Sequence, residues 1–228
     1  MARHDFAADL KEIDGKVREL FSLVGQGLAA ATDSFLASDR EIATAVIARD
    51  RVVDQLYVDI EELVQTQFAL QAPAAVDMRY LLAMLRIVPE LERSGDLVEH
   101  IAKRAMRGVA DGLSPRARGL FERMGRVGVT LWEGAADAYT IRSAVGFDQL
   151  SNLDDELDEL HVAVTAEIVA SETSIPVAIE AALVARFFER LGDHAVNIAG
   201  RMRYVAIGQG SMLKPPFEPA TADGRAAI

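Results

Sequence analysis

Cysteine is absent from the 228 residues, which excludes disulfides, thiolate metal sites and a cysteine nucleophile together. Proline is scarce: Pro73, Pro89, Pro115 and Pro176 are spread thinly and the other three fall near the C-terminus, so long helices meet few breaks. Positive charge is the minority sign. The 24 Lys and Arg against 35 Asp and Glu leave a net charge of −11, where a nucleic-acid surface would need a basic stripe; no nucleic-acid partner is expected. No run approaches the roughly eighteen uncharged apolar residues of a bilayer span. The first ten residues carry Asp5 and Asp9 and do not read as a signal peptide. With half the residues apolar, a sizeable core follows, and the expectation is a soluble cytoplasmic protein.

What is present is helical. From Phe6 to about Ala37, the residues Leu10, Ile13, Val17, Leu20, Phe21, Val24 and Leu28 recur at spacings of three and four, the period of a helix with one buried face. Ser38 or Asp39 can cap a second helix in which Ile42, Val46, Val53, Leu56, Ile60 and Leu63 continue the period. Ala72-Pro73-Ala74 breaks the chain and puts Pro73 in the first turn of a third helix, which runs to about Val109 with a kink expected at Pro89. Gly112-Leu113-Ser114-Pro115 reads as glycine stop, serine cap and first-turn proline. The same plan then repeats: a fourth helix from Pro115 to about Thr140, a fifth from about Ile141 to Ala170, and a sixth launched by Ser174-Ile175-Pro176. Gly119, Gly125, Gly128 and Gly134 weaken the fourth helix but admit a neighbour closely. From Gln209 onward periodicity vanishes, and a disordered tail is expected.

The repetition is explicit in one motif. Glu92-Arg93-Ser94-Gly95-Asp96 returns 97 residues later as Glu189-Arg190-Leu191-Gly192-Asp193. The preceding helices match too, since Asp50 and Asp54 correspond to Asp154 and Asp158 at a separation of 104 residues. The expected fold is therefore all-α: two tandem three-helix bundles, residues 1–111 and 112–208, with a tail over 209–228.

Each carboxylate pair stands one helical turn apart, where like charges repel by a few tenths of a kcal/mol, roughly 0.2–0.5. Two such stripes per bundle, on helices joined antiparallel by short loops, bring four carboxylates together: Asp50, Asp54, Glu92 and Asp96, then Asp154, Asp158, Glu189 and Asp193. Oxygen-rich sets of this kind suit divalent or trivalent metals, with imidazole from His100 admitted for the softer ones. The bland alternatives stand beside this. A single i,i+4 acidic pair is ordinary surface decoration, Arg93 and Arg190 could simply pair with the glutamates, and Leu85, Ile101, Phe187 and Ile198 read as core. His4 and His161 read as ordinary polar residues, and His194, about 100 degrees around the helix from Asp193, is not expected to ligate the same ion. Gly95 and Gly192 are expected to leave bare helix surface beside each stripe, room for a metal cluster or a partner's backbone.

The duplicated Glu-Arg-x-Gly-Asp segments, the sequence Asp193-His194-Ala195-Val196-Asn197 and the two preceding Asp-x-x-x-Asp helices resemble the paired signature of the PhoU family, regulators of phosphate transport and phosphate signalling. The resemblance covers residues 6–208. It implies two similar three-helix bundles and multinuclear metal clusters on the acidic faces, with iron, zinc, nickel, manganese or magnesium as the candidate ions and the eight carboxylates as ligands. It also implies a non-enzymatic cytoplasmic regulator that restrains the phosphate ABC transporter through its ATPase and informs the phosphate sensor histidine kinase. Such a protein is expected as a homodimer that meets the membrane only through its partners. His100 and Asn197, which occupy corresponding positions, differ between the repeats, so the two sites need not hold the same metal. Two other classes remain open: a metal-dependent phosphohydrolase, which needs an open metal position and a nucleophile, and a structural helical protein with decorative acids. No nucleophile constellation or Walker motif accompanies the acids.

Overall fold

A computed structural model describes residues 2–70, 73–142 and 147–207. The periodic pattern resolves into six helices: α1 (Ala2–Ala37), α2 (Arg40–Leu70), α3 (Ala75–Ala105), α4 (Pro115–Ile141), α5 (Phe147–Ala170) and α6 (Ile175–Ile207). A 3-10 turn at Val109–Gly112 joins α3 to α4, and no strand occurs among the described residues. The tail expected over 209–228 lies outside the described residues.

The boundaries follow from local chemistry. Ser38 ends α1 in the left-handed conformation at φ 52°, and Asp39 accepts hydrogen bonds from the amides of Glu41 and Ile42 at 2.9 and 3.0 Å, as an N-cap does. Of the two candidate caps, the aspartate takes the role. Ser114 caps α4 by accepting from the Ala117 amide at 3.1 Å, with Pro115 in the first turn. Two expectations are corrected. Pro73 precedes α3 instead of sitting in its first turn, because Ala74 is the extended N-cap residue. The third helix stops at Ala105, short of Val109, and the positive-φ glycine that ends it is Gly108 at φ 66°. Gly112 has a packing reason instead: a β-carbon there would lie 2.9 Å from Cγ2 of Val177. The chain stays helical through Pro89.

Helices α1, α2 and α3 pack on one another, as do α4, α5 and α6; the two bundles meet along α1 with α4 and α3 with α6. Their buried side chains form one continuous cluster. On α1 the stripe Ile13, Val17, Leu20, Val24 and Leu28 is fully enclosed, and the Phe35 ring meets Phe121 of α4 edge-on at 5.1 Å, worth about 0.5–1.5 kcal/mol beyond area burial. Close approach of α1 and α4 uses the expected glycines. A β-carbon on Gly125 would collide with Thr32, and one on Gly128 would touch Leu28, while Gly134 admits Leu150 of α5. Gly119 faces open space.

The stretch Phe6–Ala37 reaches a mean hydropathy of 1.2 in a window with few charges. By length and composition alone it matches a membrane-crossing helix, which the search for an uncharged run missed. Its enclosed stripe is the physical reason: a helix central to two bundles carries apolar residues on more than one face.

Candidate functional site

The acidic stripes sit on the facing sides of α2 and α3 and of α5 and α6. In the first bundle Asp50, Glu92 and Asp96 are half-buried and Asp54 is exposed. In the second, Asp154 and Glu189 are half-buried, and Asp158 and Asp193 are exposed. Glycine makes the approach possible. A β-carbon on Gly95 would lie 2.9 Å from Cγ1 of Val53 and 3.7 Å from Oδ1 of Asp50; on Gly192 it would lie 2.5 Å from Oδ1 of Asp154 and 2.9 Å from Cδ2 of Leu157. The bare surface expected beside each stripe is thus filled by the chain's own neighbouring helix. Gly192 seats Asp154, whereas Gly95 makes room chiefly for Val53, with Asp50 at ordinary contact distance.

Crowding shows in the proton affinities. Asp50 is pushed up to about 6 by burial first and then by Glu99, Asp54 and Asp96. Asp154 is likewise pushed up to about 6, by burial and then by Asp193, Asp158, Asp155 and Glu189. Glu92 and Asp96 are raised, chiefly by burial with help from Asp54, as are Asp158 and Glu189, again chiefly by burial with help from Asp193. Each set of four is therefore brought within mutual electrostatic reach. The two sets lie on different bundles and stay separate. Among the described residues, no three His, Asp or Glu side chains converge tightly enough to hold an ion as they stand.

The donor set nevertheless fits a hard cation. Every group is an oxygen ligand, and ionising the raised carboxylates at neutral pH leaves repulsion that a cation would relieve. One observation is specific: Oε2 of Glu189 is buried and has no hydrogen-bond partner, while Oε1 accepts from Arg186. A buried carboxylate oxygen without a donor is costly, and a metal ion would satisfy it.

Several neighbours escaped the motif-level reading. After burial, the Glu99 charge does most to raise Asp50, and Glu99 pairs with Lys103; its position three residues after Asp96 on the same face was the available signal. Arg186, not Arg190, pairs with Glu189. His161 proves to face charge: burial and Arg186 lower its proton affinity while Asp158 raises it. His100 stacks against Phe187 with ring centres 5.4 Å apart and eases the charge on Asp96. His194 turns away from Asp193 into the α3–α6 seam, where its Nδ1 lies 2.9 Å from Oγ of Ser94. Ile101 and Ile198 are fully buried, and Leu85 and Phe187 pack against the core.

Two three-helix bundles fused along one core, each carrying paired acidic stripes beside a close-packed glycine, define a class of duplicated all-helical protein. A family model described as the PhoU domain matches residues 17–105 and again 121–202. The chain belongs to the PhoU family. It is 31% identical over 209 residues to the phosphate-specific transport system accessory protein PhoU homolog 1 of Mycobacterium leprae, covering 90% of this chain and 94% of that protein. To the PhoU homolog of Caulobacter vibrioides it is 32% identical over 212 residues, with 90% of each covered. Among solved structures, PhoU from Pseudomonas aeruginosa superposes with a TM-score of 0.84 at 26% identity, over 90% of this chain and 100% of that one. The phosphate transport system regulatory protein PhoU of Streptococcus pneumoniae shares the fold, with a TM-score of 0.79 at 24% identity over 90% of this chain and 98% of that one.

Proposed function

We propose that this chain is a non-enzymatic regulator of phosphate transport and signalling in the cytoplasm, a negative regulator that works as a metal-loaded adaptor. Family membership, with relatives named as phosphate transport accessory proteins, supports the regulatory role. The observation that carries the adaptor reading is the recurrence, on both bundles, of paired acidic stripes beside a close-packed glycine: Asp50, Asp54, Glu92 and Asp96 on one, Asp154, Asp158, Glu189 and Asp193 on the other. These residues would hold one or more divalent or trivalent ions, which would supply fixed positive charge where the bare protein has only repulsion. Glu189 Oε2 and the raised Asp154 support the second site; the raised Asp50 supports the first.

The chain's own groups define what such a site can do. Carboxylates set on two helices each bind best when both helices are in register, so occupancy favours one packing of α2 on α3 and of α5 on α6. The exposed helical faces then present a fixed surface to the transporter ATPase and to the sensor histidine kinase, the two partners this role requires, with a homodimer as the working form. The phosphohydrolase reading has no specific observation in its favour, and the relatives are named as transport accessory proteins.

Deletion of the gene in phosphate-replete cells tests the role: phosphate-starvation genes are expected to be derepressed and uptake to rise. Complementation by the natural chain should restore repression, while the Glu92→Ala, Glu189→Ala double variant should not. Full restoration by that variant, verified metal-free, would remove the acidic faces from the mechanism. Unchanged regulation after deletion, in a genome checked for a second copy, would overturn the role.

A further inference from the structure

Beyond the acidic pair, the outer face of the second bundle carries an unbroken aliphatic patch. On α5 the stripe that begins with Asp154 and Asp158 continues through Val162, Ala166 and Val169 at helical spacing. Val162 and Val169 are 68% and 81% exposed, far more than isolated core-edge residues need be. On α6, Ile175, Ile179 and Leu183 repeat every four residues and are 76%, 58% and 40% exposed. The antiparallel register follows from Asp154 against Gly192 and His161 beside Arg186. Carried toward the loop, it sets Val162 near the level of Leu183 and Val169 near that of Ile179. Val162, Ala166, Val169, Ile175 and Ile179 make one aliphatic face about two helical turns long; Leu183 stands at its edge, on the side of α6 from which Glu180 and Phe187 meet α3.

The first bundle carries only fragments of such a face. Val162, Ile175 and Ile179 correspond to Val58, Met78 and Leu82, which keep an apolar character, but Ala166, Val169 and Leu183 correspond to Glu62, Gln65 and Arg86. The apolar fragments are also better covered there: Val58 and Met78 are 43% and 42% exposed, and Leu82 is half-buried. Duplication alone therefore does not explain the continuity of the patch. At its inner end lie the exposed carboxylates of Asp155 and Glu159, outside the proposed metal-ligand set and in no salt bridge among the described residues, and α5 contains no Lys or Arg. Arg186, the cation between patch and acids, is paired with Glu189.

We infer that this α5–α6 face docks an amphipathic helix of a protein partner, with two turns of aliphatic side chains followed by a turn of basic ones. The aliphatic anchors match i, i+3/i+4, i+7 spacing on the patch, and the basic turn meets Asp155 and Glu159, which sets direction and register. A second copy of this chain fits worse. Laid parallel it sets acid against acid, and laid antiparallel it buries carboxylates against aliphatic side chains without a cation. An anionic lipid surface is repelled by the same carboxylates.

The test uses the full chain, chelator-treated, and a labelled helical peptide with two turns of leucines on one face and lysines in the next turn, followed by fluorescence anisotropy. Chelation makes the outcome independent of the metal reading. Saturable binding is expected, weakened at least about ten-fold by Ile179→Asp and equally by Val169→Asp, two exposed positions whose substitution should spare the fold. Val58→Asp on the first bundle should leave it unchanged within about two-fold, the span of ordinary surface changes. Replacing the peptide's lysines by glutamates should abolish it. Absence of binding overturns the inference, as does indifference to Ile179→Asp or to the charge swap. So would a dimer in sedimentation equilibrium that Ile179→Asp splits, or cosedimentation with phosphatidylglycerol vesicles lost on the same substitution, since each assigns the face to another occupant.

Discussion

Ser94 Oγ and Nδ1 of His194 lie 2.9 Å apart across the seam between α3 and α6, with both side chains buried. Ser94 donates its own proton to the Glu90 carbonyl at 2.6 Å, and on the other side of the imidazole Nε2 lies 3.5 Å from the Glu90 carboxylate, so the ring is held from both sides by one turn of α3. The repeat-related positions are Leu191 and Leu97, both buried. One half of the seam is thus a hydrogen bond where the other half is aliphatic. Ser94→Ala strands a buried ring nitrogen and is expected to cost about 1–3 kcal/mol. The Ser94→Leu, His194→Leu double variant makes both positions aliphatic like their counterparts, and should cost less than the sum of its single changes. Urea unfolding of the four chains checks this as a double-mutant cycle; additive losses would deny the coupling.

Glycines of the same helical type should respond oppositely. At Gly192 an added methyl meets Oδ1 of Asp154 at 2.5 Å and Cδ2 of Leu157 at 2.9 Å, so Gly192→Ala is expected to destabilise by about 1–3 kcal/mol through overpacking. At Gly119, exposed and facing open space, alanine is expected to stabilise by roughly 0.5–1 kcal/mol through helix propensity and lost chain entropy. Thermal melts of the two variants should move in opposite directions.

The duplication and the helical period were legible in the chain because both are one-dimensional signals: Glu92 and Glu189 sit in matching words, and the α1 stripe repeats every three to four residues. The acidic faces were legible because antiparallel hairpins must bring matching stripes together. The purpose of the glycines was not, because what lies opposite Gly95 or Gly192 depends on the register of another helix. The same reason hid the Ser94–His194 contact, made between residues 100 apart, and the role of Gly108, since glycines and small residues near the bundle junction compete for one left-handed position. The roles of Glu99, Arg186 and His161 follow from side-chain reach across a helix pair, which spacing along the chain does not encode.

Metal-free protein should show an inverted pH response at Asp154. Its folded-state proton affinity is raised, by burial first and by Asp193 next, to about 6 from the ordinary 3.8. The folded state then holds that proton more tightly than the unfolded chain does. The stabilising contribution is full below the ordinary value and is lost as pH rises through about 6. Asp154→Asn should therefore raise the melting temperature at neutral pH, with the gain shrinking towards pH of about 4. Asp14 works against this in the whole-protein curve. Burial alone would raise it, but its hydrogen bonds and charge contacts with Arg18, Tyr139 and Arg142 leave it lowered, so its contribution is lost on acidification. The comparison of variant with natural chain isolates Asp154; a melting difference that does not change with pH would refute the assignment.

Metal loading should reverse the sign of that response. Ligation needs ionised carboxylates, so an ion held by Asp154, Asp158, Glu189 and Asp193 should stabilise the protein most at neutral pH, and its affinity should fall progressively below pH of about 6, where protons begin to compete for the metal-free Asp154. Asp96→Ala with Asp193→Ala should strip most of the metal while leaving far-ultraviolet circular dichroism unchanged, because Asp193 is exposed and Asp96 only half-buried. The second face carries a resident cation of its own in Arg186, bound to Oε1 of Glu189, whereas the repeat-related position on the first face is Pro89. Neutralising it by Arg186→Gln frees that oxygen and removes a like charge, so affinity at the second face should rise by about ten-fold, the equivalent of roughly 1.4 kcal/mol. The first face should be unaffected. Calorimetric titration with manganese, comparing this variant with the Asp96→Ala and Asp193→Ala single variants, reads each face separately. Equal retention of metal in the Asp96→Ala, Asp193→Ala double variant would place the ligands elsewhere.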